Sequence, residues 1–341
     1  MDDGIICSQF LYDEAPFPSC HASTIVHTPS GLVAAFFGGT HERHPDVCIC
    51  VCRMVDGRWS PPVRVADGVQ ADGSRQPTWN PVLFAPRGGA TPLAAGGPLM
   101  LFYKVGPNPR RWWGMVRTSS DDGRTWSEGV RLPDGILGPI KNKPVQLPGG
   151  TILSPSSIEG EQVGWRVYFE RSDDGGRTWS ATPFVDQPAD LKAIQPSILI
   201  HSATTLQAIG RTRSGRLFET WSYDAGRSWS PLALTDLPNC NSGTDAVTLS
   251  DGRHLLVYNH SAVEKVRVPL NVAVSRDGKA WEAAAVLESE PPGQYSYPAV
   301  IQAPDGLVHV TYTWKRLRIR HVVIDPSRLR TRPMPAGRWP D

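Results

Sequence analysis

Short apolar runs recur along the whole chain, and turns that often contain glycine separate them. Six segments share one pattern: an apolar strand, a turn, and a second apolar strand. In chain order they are HASTIVHTPSGLVAAFFGG, WNPVLFAPRGG with PLMLFYKVG, NKPVQLPGGTILSPSS, IQPSILIHSATTLQAIGR, TDAVTLSDGRHLLVYN and YPAVIQAPDGLVHVTY. Apolar runs of this length between glycine and proline turns are typical of β-strands. The pattern therefore predicts an all-β protein made of six similar units.

A second repeat marks the turns of these units. The pattern S-x-D-x-G-x-x-W occurs at residues 119–126, 172–179 and 222–229. A fourth copy at 275–281 is one residue shorter, and RMVDGRW ending at Trp59 is a degenerate fifth. In such a turn aspartate accepts backbone N–H bonds, glycine supplies a positive φ and tryptophan folds back over the turn. We therefore assign these residues to structure.

The two repeats agree on a closed ring of six units. The last four tryptophans of the turn motifs are close to fifty residues apart, and a loop around RGGATPLAAGG explains the longer first interval. A lone four-stranded unit cannot bury both of its faces, so six of them predict a closed propeller. The expected fold is a six-bladed β-propeller of four-stranded antiparallel blades. Residues 1–341 form a single domain in this prediction, with 326–341 as a surface tail.

Composition changes this picture little. The chain has 341 residues, with 32 glycines, 32 prolines and 12 tryptophans spread along it. The formal net charge of +2 predicts neither a nucleic-acid partner nor a membrane partner, so any preference for an acidic ligand must be local. No apolar stretch reaches the roughly 18 residues of a membrane span.

The six cysteines indicate a reducing compartment. Cys48, Cys50 and Cys52 alternate along one apparent strand, where they share a face but cannot easily bridge, so we expect free thiols. The first residues include two aspartates and no basic segment followed by a sustained apolar run, which argues against a signal peptide. The expected location is the cytoplasm.

The turn motif on a repeating four-strand unit is the Asp box, and with it the chain resembles the sialidase (neuraminidase) superfamily from about Pro18 to Asp325. It also has some similarity to propeller lyases that act on rhamnose-glucuronate polysaccharides, which likewise have histidines near the first-blade strand starts. The Asp box is specific for the architecture and not for an activity, so function depends on the site residues.

The resemblance implies a site where the first strands of the blades begin. Sialidases open blade one with Phe-Arg-Ile-Pro, whose arginine binds the substrate carboxylate. The same register here reads CHAS, so His21 stands in place of that arginine. The family's second arginine corresponds to Arg211 in AIGR, and the third approximately to Arg267 in VRVPLNVAVS. Two guanidiniums with planar fork geometry suit a carboxylate.

The family's nucleophile is a tyrosine that opens the last blade. GQYSYPAV places Tyr295 in that register, with Tyr297 as the alternative. A phenol near pKa 10 needs a base to take its proton. Sialidases supply a glutamate before the proline of blade four, where this chain has Gln195, and an amide cannot act as a base.

The family's acid/base aspartate lies in the loop after the second strand of blade one, here GGTHERHPDV. Glu42 and Asp46 are the candidates, with His41 beside them and Arg43 as a further contact to a carboxylate. The histidines of this loop lack the fixed helical spacing of a zinc motif, so we predict neither a metal nor a cofactor.

Further polar residues stand at strand starts and at second-strand ends. Together they predict a basic pocket with aromatic walls, a surface that suits sugar rings and hydroxyls. The candidate ligand-binding residues among them are Asn80, Lys104, Lys141, Lys143 and Asp245, with Asn259, His260, Trp314, Lys315 and Arg316 facing the same mouth.

Three functions fit these residues. The first is sialidase-like hydrolysis of a glycosidic bond at an acidic sugar. The second is β-elimination at a uronate, with His21 or His41 as base, the arginines as carboxylate clamp and Tyr295 as acid. The third is glycan binding without catalysis, which Gln195 favours. A histidine-dependent glycosidase is a further alternative on the same residues. The expected partner is an acidic sugar, an oligosaccharide or a glycosylated small molecule.

Overall fold

A computed structural model describes residues 4–87 and 97–341 of the chain. In these residues the strands form six antiparallel sheets, and the predicted six-bladed β-propeller is confirmed. Most of the loop RGGATPLAAGG, which the spacing of the tryptophans placed inside blade two, lies outside the described residues. Helix within the described part is limited to a 3₁₀ turn at Pro335–Gly337.

The blades follow one another in chain order. The first strand is β1 (Ile5–Phe10). Blade one contains β2 (Ser19–Thr28), β3 (Gly31–Gly39), β4 (Cys48–Val55), β5 (Arg58–Trp59) and β6 (Val63–Ala66). Blade two contains β7 (Thr78–Phe84), β8 (Leu99–Val105), β9 (Trp113–Ser119) and β10 (Val130–Arg131). Blade three contains β11 (Val145–Gln146), β12 (Ile152–Gly160), β13 (Gly164–Ser172) and β14 (Ser180–Ala181).

The second half of the ring repeats the arrangement. Blade four contains β15 (Ala193–Ile200), β16 (Leu206–Thr212), β17 (Arg216–Ser222) and β18 (Ala233–Pro238). Blade five contains β19 (Asp245–Thr248), β20 (His254–Asn259), β21 (Leu270–Ser275) and β22 (Trp281–Glu288). Blade six contains β23 (Tyr295–Gln302), β24 (Val308–Trp314) and β25 (Arg318–Ile324), and the short strand β26 (Arg332–Pro333) follows it.

Both ends of the chain add strands to blades. Strand β1 pairs antiparallel with β25 and is the fourth strand of blade six, so the start and the end of the ring are joined by backbone hydrogen bonds. Strand β26 pairs with β22 at the outer edge of blade five. Within the 326–341 segment, Met334 is buried in an apolar cluster that also contains Leu237 of β18, and Trp339 packs against this cluster.

The hydrophobic core lies between neighbouring blades. Phe169 of blade three packs against Phe218 of blade four, and Trp229 of the Asp box in blade four stacks on Phe169 with ring centroids 3.8 Å apart. Each buried phenylalanine contributes about 1.5–3 kcal/mol through lost contact with water. The box itself is held by Asp224, whose carboxylate accepts hydrogen bonds from the Arg227 and Ser228 amides at 3.0 and 2.9 Å.

The first strands of four blades carry a bulge at the same place. In β2, β7, β15 and β23 the register with the second strand shifts, and a residue other than glycine has a positive φ. These residues are Ala22 (55°), Asn80 (36°), Gln195 (57°) and Tyr297 (53°). The left-handed conformation costs roughly 1–2 kcal/mol at such a residue, and a bulge re-aims the side chains beside it.

A polar side chain near the end of each second strand in blades two to six bonds to the backbone of the following blade. Lys104 donates to Pro139 O, Ser157 accepts from Gln195 N, Arg211 donates to Asn241 O, Asn259 donates to Tyr295 O, and Thr313 accepts from Ala22 N. These bonds fix the strand starts of neighbouring blades relative to one another. Residues at the strand starts are therefore held in fixed positions around the ring.

Residues 4–87 and 97–341 contain no helix with the length and hydropathy that crossing a membrane requires.

Candidate functional site

Tyr297 is the residue around which the candidate site is built. The bulge in β23 turns its ring towards groups from blades one, three, four and five. The His21 ring centroid lies 4.2 Å from that of Tyr297. The guanidinium carbons of Arg211 and Arg267 each lie 5.5 Å from the tyrosine ring centroid, and Lys141 Nζ lies 5.8 Å from it. Convergence from so many blades places this tyrosine at the axis.

The two arginines beside Tyr297 form no salt bridge within residues 4–87 and 97–341, although Arg211 is only 7% exposed. Arg211 donates to Asn241 O at 2.9 Å, and its Nε has no hydrogen-bond partner among the described residues. The pKa of Lys141 is lowered to about 7, chiefly by burial; the charge of Asp245 opposes this shift, and the charges of Lys143 and Arg211 add to it. An anion bound here would relieve this repulsion.

His21 is neutral in this setting. Burial and the neighbouring guanidiniums, that of Arg316 above all, hold its pKa well below the usual range. Its Nδ1 forms a 2.9 Å hydrogen bond with the Thr313 hydroxyl, and the edge of Phe37 packs against its ring. A neutral imidazole next to a phenol can accept a proton.

Arg316 brings a third guanidinium to the mouth from the turn between β24 and β25. Its carbonyl oxygen accepts a 2.8 Å hydrogen bond from the amide of Cys20, the residue before His21. Its Nη1 lies 2.7 Å from Glu42 Oε2, in an ion pair that is partly exposed. Arg316 therefore acts on His21, the residue at the register position of the first sialidase arginine, and the ion pair connects Glu42 to the same mouth.

The other residues of the blade-one loop are engaged with one another. Asp46 accepts hydrogen bonds from the Thr40 amide and hydroxyl and lies 2.7 Å from His44 Nδ1. Burial alone would raise the pKa of Asp46, but these bonds lower it below its usual value. The predicted acid/base candidate Asp46 thus sits at the base of the loop, and its carboxylate holds the loop together.

His41 and Arg43 occupy the exposed tip of this loop. His41 Nδ1 lies 3.0 Å from the Glu42 carbonyl oxygen, and its ring packs edge-on against His44. Arg43 has a φ of 80°, and its positive charge opposes the rise that burial causes in the pKa of Glu159.

Glu159, at the end of β12 in blade three, is a carboxyl group that sequence reasoning missed. Burial raises its pKa, and the charge of Arg211 opposes that rise in part. The segment LSPSSIEG, with Glu159, closes the second strand of blade three. The segment AIGR, with Arg211, closes the second strand of blade four. Comparing these two strand ends would have identified Glu159.

Lys143 and Asp245 link the blades across the axis. Lys143 Nζ lies 2.9 Å from Asp245 Oδ2 in a largely buried ion pair. Asp245 also accepts from the Ser197 hydroxyl at 2.9 Å and the Val300 amide at 2.8 Å. Lys141 donates to Thr244 O at 2.8 Å and to a carbonyl of the opposite blade six. Three of the predicted ligand-binding residues thus make interblade bonds.

Lys104 lies between blades two and three. It is completely buried, donates to Pro139 O at 2.8 Å, and has Glu170 as its charge partner. Burial lowers its pKa to about 7. The structure therefore places this predicted ligand-binding residue in a blade interface.

Asn80 and Gln195 are buried polar residues, and Gln195 keeps unused hydrogen-bonding capacity. Gln195 is 3% exposed, and its side-chain oxygen has no partner in the described residues. Asn80 is likewise buried. Both stand at bulges on first strands, where a ligand would meet them.

The ring of Tyr295, the predicted nucleophile, packs elsewhere, although its backbone N–H donates to Arg267 O at 3.1 Å. It belongs to the apolar cluster between blades five and six, and its hydroxyl donates to Glu290 O at 3.1 Å. Its alternative, Tyr297, is the tyrosine that the structure brings together with His21, Arg211 and Arg267.

Among residues 4–87 and 97–341 no three side chains of histidine, cysteine, aspartate or glutamate are arranged to hold a metal ion.

Known proteins share this fold and part of this sequence. The model of the BNR repeat-like domain family matches residues 30–310. The chain is 25% identical over 221 residues to a sialidase of Micromonospora viridifaciens, a stretch that covers 58% of this chain and 33% of that protein. It spans about a third of the length of the curated relatives that it matches.

Two solved structures illustrate the similarity of fold. A protein of unknown function from Dyadobacter fermentans superposes with a TM-score of 0.74 at 16% identity, over 96% of this chain and 99% of that one. The NanB sialidase from Streptococcus pneumoniae superposes with a TM-score of 0.72 at 13% identity, over 94% of this chain and 71% of that one. At such identities the similarity establishes the fold.

Proposed function

Because the chain belongs to the BNR repeat-like domain family of the sialidase superfamily, we propose that it hydrolyses a glycosidic bond at an acidic sugar. One observation carries this proposal: Arg211 and Arg267, without carboxylate partners in the described chain, converge on the ring of Tyr297. Paired guanidiniums bind a carboxylate in a fixed orientation. A sugar carboxylate held there would place the adjacent ring carbon near the tyrosine.

The third guanidinium completes the binding of the carboxylate. The charge of Arg316 acts on both His21 and Arg267, and its 2.7 Å ion pair with Glu42 holds the guanidinium in place. In this proposal it replaces the arginine that sialidases place on blade one. Glu42 then acts as a positioning residue for Arg316.

Tyr297 acts as the nucleophile. Its oxygen forms a bond to the anomeric carbon as the bond to the leaving oxygen breaks, and its phenolic proton passes to His21. A bound carboxylate offsets the positive field around His21, so substrate binding strengthens this base. Water then attacks the anomeric carbon as its bond to the tyrosine oxygen breaks; the water gives one proton to the Glu159 carboxylate, which restores the acid, and His21 returns its proton to the phenol oxygen.

Glu159 donates the proton to the leaving oxygen. Burial raises its pKa, which favours the protonated form that an acid catalyst requires. Glu42 is held as a carboxylate partner of Arg316 and suits that task less well.

The first test is turnover of aryl glycosides of sialic and uronic acids by Tyr297→Phe. We expect kcat to fall roughly a thousandfold or more, because removal of a covalent nucleophile leaves only binding and electrostatic stabilisation. Tyr295→Phe is the matched control, two positions away on the same strand, and should keep its activity. Full turnover by Tyr297→Phe would overturn the assignment.

Elimination at a uronate is the second candidate, and the neutral, buried His21 beside the arginines favours it. In that reaction His21 removes the C5 proton while the guanidiniums stabilise the carbanion, and the bond between C4 and the leaving oxygen then breaks as that oxygen takes the proton of the Tyr297 hydroxyl. The product has a C4–C5 double bond conjugated with the carboxylate, so ultraviolet absorbance rises as the linkage is cleaved. Cleavage of a uronate without this rise excludes elimination. Binding of the sugar with no product over long incubation would indicate a glycan-binding propeller.

A further inference from the structure

A second pocket lies on the flank of blade one, away from Tyr297. Its volume is about 390 Å³. Its walls are the segment Pro16 to Pro18, the turn around Thr40, and the side chains of Cys48, Cys50 and Arg64. Asp46, whose carboxylate holds the blade-one loop together, is one of its lining residues, whereas Tyr297, His21 and the arginines of the site are not.

Two thiols meet in this pocket. Cys48 and Cys50 are alternate residues of β4 and therefore point to the same side of the sheet. Their sulfur atoms are 3.9 Å apart, and Cys48 Sγ also lies 3.5 Å from Gly38 O. Cys48 is half-buried, whereas Cys50 is 3% exposed, so a small reagent entering the pocket meets Cys48 first.

The surroundings divide the roles of the two sulfurs. The hydrogen bond from Cys50 favours the thiolate of Cys48, Arg64 adds to it, and together they lower the pKa of Cys48 although burial opposes them. The same hydrogen bond and burial raise the pKa of Cys50. Cys48 is thus the better nucleophile and Cys50 remains a thiol.

We propose that Cys48 and Cys50 form a peroxide-sensitive thiol pair that closes to a disulfide. The Cys48 thiolate attacks the O–O bond of hydrogen peroxide and becomes a sulfenic acid, and the released hydroxide takes up a proton to form water. Cys50 then attacks the sulfenic sulfur, loses its proton, and displaces the hydroxyl group as a second water. In sum two thiols are oxidised and one peroxide is reduced to two waters.

Closure requires a local movement of β4. Alternate residues of a strand have Cα atoms about 6.6 Å apart, at the upper end of the roughly 4.4–6.8 Å found across protein disulfides, and their side chains leave the strand nearly parallel, so the two Cβ atoms must approach each other. The pairing of β4 with β6 shifts register between Ile49 and Cys50, so the strand is already irregular at this point.

The experiment treats the reduced full chain with a small excess of hydrogen peroxide, then alkylates all free thiols and maps them by mass spectrometry. We expect two of the six cysteines to become protected, both in the peptide that contains Cys48 and Cys50. Cys50→Ser should yield a sulfenic acid at Cys48 that a dimedone reagent traps, and Cys48→Ser should protect none. Cys52→Ser, on the same strand face, is the matched control and should behave as the unmodified chain does.

Arg64→Gln supplies a separate readout. It should slow alkylation of Cys48 roughly three- to tenfold, since the thiolate loses a neighbouring positive charge. In the unmodified chain Cys48 should be the first of the six thiols to react with iodoacetamide. Six free thiols after peroxide, faster labelling of the half-buried Cys7, or a disulfide that forms in Cys48→Ser would each overturn the proposal.

Discussion

Tyr295 and Tyr297 lie two positions apart on β23, yet their hydroxyl groups have different surroundings. Alternate residues of a regular strand share a face, but the register shift between Ser296 and Ala299 breaks this rule. Tyr295 consequently packs between blades, while Tyr297, at a φ of 53°, turns to the axis. The position of a single bulge thus decides which tyrosine faces a ligand.

Glu159 leads to a prediction about pH. An acid catalyst must be protonated, so the rate should fall as pH rises through the pKa of Glu159, which burial has raised. Glu159→Gln should remove this alkaline limb and lower kcat roughly 10²- to 10⁴-fold. The measurement is kcat against pH for both proteins, with Glu161→Gln, an exposed neighbour, as control. An unchanged profile in Glu159→Gln would assign the proton donor elsewhere.

Several site residues could be proposed from the sequence because the resemblance to sialidases could be placed on the repeat of the blades. That resemblance implied that His21 and Arg211 belong to the mouth, and both lie against Tyr297. The same reasoning chose Tyr295 over Tyr297 because a bulge leaves no mark in an apolar pattern. Roles such as nucleophile and acid remain predictions.

At the scale of the elements, the strands and Asp boxes could be predicted since their signals are local. The hydrogen bonds and ion pairs between blades could not be predicted. Lys104 and Asp245 stand where a ligand-binding residue would stand, but each has its partner in another blade, many residues away in the chain. A sequence read blade by blade does not show which polar group meets which across such an interface.

A pair of histidines between blades four and five makes stability depend on pH. His254 Nε2 lies 3.2 Å from His201 Nδ1, and Thr248 and Gln207 provide their other partners, with Asp277 as the nearby charge. Burial first, and then His201, lower the pKa of His254 to about 4. Between pH 6.5 and 4 the unfolded chain therefore binds a proton that the folded chain does not.

Stability should accordingly be complete above pH 6.5 and fall as pH drops towards 4. Each pKa unit corresponds to about 1.4 kcal/mol, so His254 accounts for a loss of about 3 kcal/mol over this range. Urea unfolding at pH 7, 5.5 and 4.5 measures it. His254→Gln should flatten the profile by that amount and the exposed His41→Gln should not; equal slopes in all three proteins would exclude the histidine pair as the cause.

At the scale of the whole molecule, a propeller of small net charge concentrates positive charge at one place. The formal net charge is +2, yet Arg211, Arg267, Arg316 and Lys141 all act on His21. Blade count and closure could be predicted from the repeats, because a blade must bury both faces. The role of β1 in completing blade six was not predicted, because its short run carries no repeat signature.

The most direct test of the site is the position of a bound acidic sugar in the crystal structure of the Tyr297→Phe variant. A sialic or uronic acid glycoside should bind with its carboxylate oxygens about 3 Å from the guanidinium nitrogens of both Arg211 and Arg267, with its anomeric carbon over residue 297. A sugar bound on another surface, or one whose carboxylate points away from both arginines, would contradict the proposed site.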